Sequence, residues 1–248
     1  MPDEKGKKII IDETSKILAL DTSSNYLSIA LSKGDKILNN VHLEAPRDHL
    51  AKLLPMIDEL LNAAAVNLLE IDVILVGTGP GSFTGLRIGV ATAEGLAQSL
   101  NKNIIGISSL DAIARGIERD QEHKYEGIVC TVVDAKRKEI YAKIFKQGES
   151  DSVPQVLDPV DLGNILKRYE ERVVLAGDGL LLYGDLFKES LGERAVFARK
   201  ELWYPKATLL VGLSLKKRAT LAYRNVRPIY IRKSEAEERL KRLNRSQK

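Results

Sequence analysis

Residues 71–100 read IDVILVGTGPGSFTGLRIGVATAEGLAQSL and decide the fold of this chain. Residues 71–76 form a run that is apolar except for Asp72 and rich in β-branched side chains, which is typical of a strand buried on both faces of a parallel sheet. Residues 77–85 then carry four glycines and a proline, which indicates a tight turn. The stretch predicts a strand, a glycine-rich turn and a helix that begins directly after the turn.

The predicted helix carries a ridge of small residues at every fourth position, namely Gly85, Gly89, Ala93 and Ala97. Positions four apart lie on one face of a helix, so another backbone can approach this face closely. Three interpretations compete: a phosphate cradle at the turn, close packing of the helix on its own sheet, or docking of a helix from a partner chain. The phosphate interpretation has weak support, because the glycine spacing matches neither common nucleotide-binding signature.

The composition limits the classes of protein to which this chain can belong. The 248 residues, 44% of them hydrophobic, fit one large or two modest domains with real cores. The sequence has neither an apolar stretch of 18 residues nor a secretory signal pattern, so we expect a cytoplasmic protein without a membrane span. A lone cysteine, Cys130, excludes an internal disulfide and a cysteine zinc site.

The net charge of +4 is confined to the end of the chain. Residues 232–248 hold seven basic and three acidic side chains, and the remainder of the chain is balanced. Three Glu residues each precede a basic residue by four positions, which is typical of a solvated helix. We therefore expect a basic C-terminal helix or tail at 233–248, with direct RNA binding by this tail left as an open alternative.

A strand that ends in an acid and turns back into a second strand occurs twice. Asp21 ends the first such strand and Asp134 ends the second. From the first strand to about residue 115, the predicted order of elements is βββαβαβα. We therefore predict a flexible extension at 1–16, a first lobe at 17–115, a second lobe at 116–232 and the tail.

Two polar groups are candidate ligand sites. Asp21 with Thr22 and Ser23 at a strand end fits either a metal or phosphate site or a turn that satisfies its own backbone. The chain has three histidines, and His49 has no second histidine at metal-ligand spacing. We therefore expect no histidine metal site.

Five blocks of this sequence resemble the bacterial TsaB (YeaZ) family, and they occur in the family's order between about residues 17 and 240. The blocks are ILALDTS at 17–23, PRDH at 46–49, GPGSFTGLRIG at 79–89, VDAKRKEIY at 133–141 and PIYIR at 228–232. The resemblance implies an α/β, two-lobed actin/hsp70/sugar-kinase-like (ASKHA) fold with duplicated ribonuclease-H-like lobes. It also implies a role in making threonylcarbamoyladenosine in tRNAs reading ANN codons.

The resemblance further implies a partner role. The chain is expected to dimerise with a TsaD-type transferase subunit, with a TsaE-type ATPase as a third component, to reach tRNA only through the complex and to form a homodimer when alone. We further hypothesise that the first-lobe helices at 50–64 and 85–100 pack against the equivalent helices of the transferase subunit, with the small ridge allowing close approach. The expected partner-binding residues are Arg47, His49, Leu53, Met56, Gly85, Leu86, Arg87, Gly89, Val90 and Ala93.

Departures from the catalytic relatives imply that the chain is not an enzyme by itself. The TsaD-type subunit has a metal-binding histidine pair where this chain has Ser109 and Ile113, so we expect no catalytic residues and no metal. Asp134 is followed by 135–137, Ala-Lys-Arg, where nucleotide-hydrolysing members of the fold have glycines. We expect no tightly bound cofactor, with ATP or ADP left open in the complex. The candidate vestigial nucleotide or phosphate residues are Asp21, Thr22, Ser23, Asp134, Gly177 and Gly179. The alternative is a stand-alone ATPase or kinase of this fold, or a metallopeptidase-like enzyme.

Overall fold

The first sheet of the protein has five strands in the order β3-β2-β1-β4-β5. The structure is a computed structural model that describes residues 11–216 and 226–229. β1 pairs antiparallel with β2 and parallel with β4, so a hairpin and two parallel strands share one sheet. The strands are β1 Lys16–Asp21, β2 Tyr26–Lys33, β3 Lys36–Glu44, β4 Val73–Gly77 and β5 Asn103–Ile107. All residues of β4 are buried, as its continuous apolar run predicts.

The second sheet repeats this plan. Its main order is β11-β10-β6-β7-β8, and β9 also pairs with β7. The strands are β6 Ile128–Lys136, β7 Glu139–Lys146, β8 Glu149–Ser150, β9 Gln155–Leu157, β10 Val173–Ala176 and β11 Ala195–Phe197. β6 pairs antiparallel with β7 and parallel with β10, as β1 does with β2 and β4. The predicted duplication of a strand, an acid and a returning strand is therefore present in the fold.

Six α-helices of the described residues cover these sheets. They are α1 His49–Ala63, α2 Phe83–Leu100, α3 Ser109–Glu118, α4 Pro159–Leu166, α5 Leu180–Leu191 and α6 Ala207–Lys216. Ser82 caps the N-terminus of α2, and its hydroxyl accepts a hydrogen bond from the Gly85 N–H at 3.2 Å. Such a cap satisfies one of the free donors of the first helical turn. Within the described residues, no helix is both long enough and apolar enough to cross a membrane.

Two helices, α3 and α6, pack on the sheet of the other predicted lobe. α3 falls mostly within the predicted first lobe, 17–115, but its Leu110, Ile113 and Ile117 lie in the core of the second sheet. α6 falls within the predicted second lobe, 116–232, but its apolar residues lie in a core with β1 and β4 of the first sheet. The division at residue 115 therefore does not describe the packing, because helical periodicity gives the apolar face of a helix but not the sheet that receives it.

The ends of the described chain differ in two places from the prediction. Within the expected flexible extension, Asp12 Oδ1 accepts hydrogen bonds from the backbone of Thr14 and Ser15, both at 2.9 Å, and Gly34 N donates to Ser15 O at 2.9 Å. The sequence also predicts a last strand at 226–232, but its described part, 226–229, is not a strand, although Ile229 N donates to Thr78 O at 2.8 Å. The predicted tail at 233–248 lies outside the described residues.

Candidate functional site

The backbone donors of the glycine-rich turn are used within the chain. Gly79 N donates to Ser109 Oγ at 3.1 Å, and Ser82 N donates to Ser23 O at 2.7 Å. Together with the cap on Gly85, these bonds occupy N–H groups that a phosphate cradle would aim at its ligand. The turn therefore joins β1, β4 and α3, which favours packing over phosphate binding.

The ridge of small residues faces the chain's own sheet. A Cβ on Gly85 would collide with the backbone oxygen of Thr22, and one on Gly89 would collide with the Thr22 hydroxyl. That hydroxyl donates to Gly85 O at 2.7 Å. Ala93 and Ala97 are buried on the same face. The ridge lets α2 lie close against β1.

This packing corrects the prediction that the ridge receives a partner helix. Most of the predicted contact residues lie inside the first lobe; these are His49, Leu53, Gly85, Leu86, Gly89, Val90 and Ala93. Their burial leaves them inaccessible to a second chain. Arg47 and Arg87 are exposed and Met56 is half-buried, and these three remain on the surface.

The exposed apolar surface of α1 lies on two leucines that are not among the predicted contact residues. Leu50 is 75% exposed and Leu54 is 54% exposed, one turn apart on α1. The sequence pattern placed both in one apolar stripe with Leu53 and Ile57, but only the latter two are buried. The width of this apolar stripe was the sequence signal for an exposed apolar surface, because a helix that packs on one sheet needs a narrower apolar face than this stripe provides. On α2, the exposed Arg87 guanidinium lies 3.9 Å from the centre of the Phe83 ring.

Asp21 is fully buried at the end of β1. Its Oδ1 accepts hydrogen bonds from Ser23 N at 2.8 Å and Ser23 Oγ at 2.7 Å, and its Oδ2 accepts one from Ser109 Oγ at 2.7 Å. Burial raises the pKa of the Asp21 carboxyl, and the hydrogen bonds from Ser23 and Ser109 oppose that shift. A Cβ on Gly77 would collide with this carboxylate. Asp21 thus joins the first sheet to the N-terminus of α3.

Asp134, the corresponding acid of the second lobe, also bonds to groups of its own chain. Asp134 N donates to Asp178 Oδ1 at 3.0 Å, and Lys136 contacts the Asp134 carboxylate at 2.5 Å. Burial raises the pKa of Asp178. Gly177, at φ 129°, and Gly179 lie against the backbone of Val132. These glycines therefore serve close packing of α5 on β6.

A small cavity lies between the two sheets. It has a volume of about 10 Å³ and is lined by residues from both halves, among them Ser23, Pro80, Ser109, Asp178 and Tyr204. A cavity of this size holds at most one water molecule. Of the predicted nucleotide or phosphate residues, Ser23 lines this cavity, which has no room for a nucleotide.

Ser109 and Ile113 are packing residues; by the resemblance given above, they stand where the TsaD-type subunit is expected to have its metal ligands. Ser109 is bound to Asp21, and Ile113 lies in the core of the second sheet. Among the described residues, no three His, Cys, Asp or Glu side chains form a cluster suited to a metal ion. His49 is buried, with its Nε2 3.3 Å from Tyr26 O.

The two sheets, their duplicated connection and the cleft between them define a two-lobed protein of the actin/hsp70/sugar-kinase class. The fold is similar to that of the ROK hexokinase from Thermus thermophilus, with a TM-score of 0.50 at 13% identity over 82% of this chain and 99% of that one. At such low identity, the likeness concerns the fold alone.

Closer relatives give the family. The family model of TsaD, tRNA N6-adenosine threonylcarbamoyltransferase, matches residues 41–239. The tRNA threonylcarbamoyladenosine biosynthesis protein TsaB of Escherichia coli is 30% identical over 91% of this chain and 98% of its own length. YeaZ from Pseudomonas aeruginosa is 30% identical, with a TM-score of 0.69 over 87% of this chain and 99% of that one. The chain belongs to the TsaB (YeaZ) family.

Proposed function

We propose that this chain is a non-catalytic subunit of the machinery that makes threonylcarbamoyladenosine in tRNAs reading ANN codons, and that it acts by dimerising with a TsaD-type transferase subunit. The names of its relatives place the family in this biosynthesis. The observation that carries the non-catalytic role is that the acids Asp21 and Asp178 are bound to the chain's own groups. Such a subunit contributes a surface and binds no nucleotide tightly by itself.

The outer face of α1 is the proposed docking surface. Leu50 and Leu54 are exposed there, one turn apart. Burial of a leucine side chain stabilises an association by about 1.5–3 kcal/mol. In the absence of the transferase subunit, the same surface would pair two copies of this chain. The proposal also includes a TsaE-type ATPase, tRNA reached through the complex, and action in the cytoplasm.

The docking proposal is tested with two matched pairs of exposed leucines. Leu50→Asp with Leu54→Asp puts two charges on the proposed surface, whereas Leu181→Asp with Leu182→Asp does so on α5 of the second lobe. Leu181 and Leu182 are 61% and 64% exposed, so neither pair should unfold the chain. Light-scattering mass is measured for each variant alone and mixed with the TsaD-type protein of the same organism.

The α1 pair should lower the affinity for the transferase subunit at least about 100-fold, because unpaired charges would be buried in the interface. It should also abolish the homodimer, and the α5 pair should leave both assemblies intact. Loss of the mixed complex with the α5 pair, or its survival with the α1 pair, argues against this surface. ATP hydrolysis by the purified chain that disappears in Asp21→Asn would favour the enzyme alternative.

A further inference from the structure

The turn between β6 and β7 consists of three consecutive cationic residues, Lys136, Arg137 and Lys138, called here the basic turn. Lys136 pairs with Glu139, so Arg137 and Lys138 are the two central residues of the hairpin. Their φ angles are 56° and 63°, and that of Lys136 is 62°. Positive φ at both central residues defines a type I′ turn, which favours Asn and Gly. The basic turn therefore carries long side chains on a backbone that disfavours them.

The base of the basic turn is held by two acids. Lys136 N donates to Asp134 Oδ1 at 2.8 Å, and Asp134 N donates to Asp178 Oδ1 at 3.0 Å. Ala135, at the irregularity in the pairing of β6 with β7, is buried. The backbone of the turn is thus fixed to the second lobe, and groups on a fixed backbone lose less conformational entropy when they bind.

The side chains of the basic turn lie on the surface. All three are exposed, and that of Lys136 remains 82% exposed although it pairs with Asp134. The Asp134 side chain is only 9% exposed, but its Oδ1 keeps the hydrogen bond from Lys136 N, so Lys136 Nζ can turn toward another anion without leaving that carboxylate unpaired. The turn can therefore offer positive charge to a ligand.

The chemistry of the basic turn fits phosphate better than protein. Residues 136–138 expose only cationic side chains, whereas the centre of a protein interface is usually apolar or aromatic and poor in Lys. Contacts to a nucleic-acid backbone need only Lys, Arg and polar donors. A phosphodiester chain is therefore the partner that these three residues suit.

We propose that the basic turn binds the phosphate backbone of tRNA and positions it on the complex. That the RNA is tRNA rests on the proposed function, whereas the phosphate chemistry rests on the turn itself. The contact is independent of base sequence and is separate from the alternative of tRNA binding by the tail at 233–248.

The test measures the affinity of a fluorescein-labelled, unmodified tRNA transcript for the full chain, alone and mixed with the TsaD-type subunit, over a range of salt concentrations. One variant combines Lys136→Gln, Arg137→Gln and Lys138→Gln. The matched control combines Lys33→Gln, Lys36→Gln and Lys124→Gln, which removes the same charge from exposed positions elsewhere. Both variants are also made without residues 233–248.

The basic-turn variant should bind tRNA about 10-fold or more weakly at about 50 mM salt, and its slope of log affinity against log salt should fall by about two to three, because each phosphate contact contributes close to one. The control should change affinity less than about 3-fold. The difference between the two variants should persist without residues 233–248, which separates the turn from the tail.

Three results would overturn the proposal: no tRNA binding by the unchanged protein, an equal loss in the control, or a basic-turn variant that loses the TsaD-type subunit but keeps its affinity for tRNA. The last result would make the turn a protein contact. If the unchanged chain forms no mixed complex, the proposed function fails, but tRNA binding by the chain alone still tests the turn.

Discussion

Gly89 and Gly95 lie on different faces of α2. Substitutions at these two positions distinguish the effect of packing on stability from that of helix propensity. A Cβ on Gly89 would collide with the Thr22 hydroxyl, whereas one on Gly95 would have no atom within 4 Å. At Gly89 the missing side chain allows contact between α2 and β1. At Gly95 it only costs helix stability, because glycine is about 1 kcal/mol less favourable than alanine within a helix.

We expect opposite effects from alanine at these two positions. Gly89→Ala should lower the free energy of unfolding by about 1–3 kcal/mol through overpacking. Gly95→Ala should raise it by about 0.5–1 kcal/mol. Urea unfolding followed by circular dichroism measures both. A Gly89→Ala protein with unchanged stability and no affinity for the transferase subunit would restore the original interpretation of the ridge as a docking surface.

Asp21 makes stability depend on pH in a direction that is unusual for an acid. Burial raises its pKa above that of an unfolded Asp, which is about 3.9. The neutral form is therefore favoured in the folded state, and the contribution of Asp21 to stability is fully present below the unfolded pKa. That contribution is lost as pH rises through the folded pKa.

Asp21→Asn should remove this dependence. The free energy of unfolding of the unchanged protein minus that of the variant should decrease as pH rises from about 4 through the folded pKa of Asp21. Other titrating groups are common to both proteins and cancel in this difference. Urea unfolding of both proteins at matched pH values measures it. A difference that stays constant or increases with pH would contradict the raised pKa.

Among the elements, the β6–β7 hairpin is strained at its turn. Lys138 has a φ of 63°, in the left-handed region that costs a residue with a Cβ about 1–2 kcal/mol. Its side chain is exposed and lies at the end of the hairpin. The strain therefore comes from the backbone of the residue and not from crowding of its side chain.

Lys138→Gly should raise the free energy of unfolding by about 1 kcal/mol, because glycine adopts positive φ without steric cost. Lys138→Ala is the matched control: it removes the same charge and side chain but keeps the Cβ, so its stability should stay within about 0.5 kcal/mol of the unchanged protein. Thermal and urea unfolding of the three proteins measure this. Equal gains from both substitutions would show that charge repulsion, and not the backbone, destabilises the turn.

At the scale of the whole molecule, α3 and α6 link the two sheets, because each packs on the sheet formed by the other half of the chain. α3 follows β5 of the first sheet but packs on the second, and α6 follows the second sheet but packs on the first. Each core therefore includes a helix that is joined to the other half of the chain. We expect the two lobes to unfold together.

Leu210→Ala tests this coupling. Leu210 is fully buried in α6 against the first sheet, and its truncation should cost about 2–5 kcal/mol. Trp203, the single tryptophan, reports on the core of the second sheet. Its fluorescence transition in urea should shift by the same free energy as the circular dichroism of the whole chain. Two separate unfolding transitions, of which only that of the first sheet is shifted, would contradict the coupling of the two lobes.

The sequence by itself determined the elements and their class. The apolar run at 73–76 predicts a buried parallel strand, and the repeated strand, acid and returning strand predict the two similar sheets. These features follow from the order of residues along the chain, because strand burial and hairpin return are local properties. The five motif blocks likewise identify the family, because each is a short string of neighbouring residues.

Only the tertiary structure decided which faces are inside. The ridge at Gly85 and Gly89 packs against Thr22, whereas Leu50 and Leu54, which share an apolar stripe with the core residues of α1, lie on the surface. The packing of α3 and α6 on opposite sheets was equally absent from the pattern. Periodicity defines a face of a helix relative to its own axis, but what covers that face depends on residues far away in the chain.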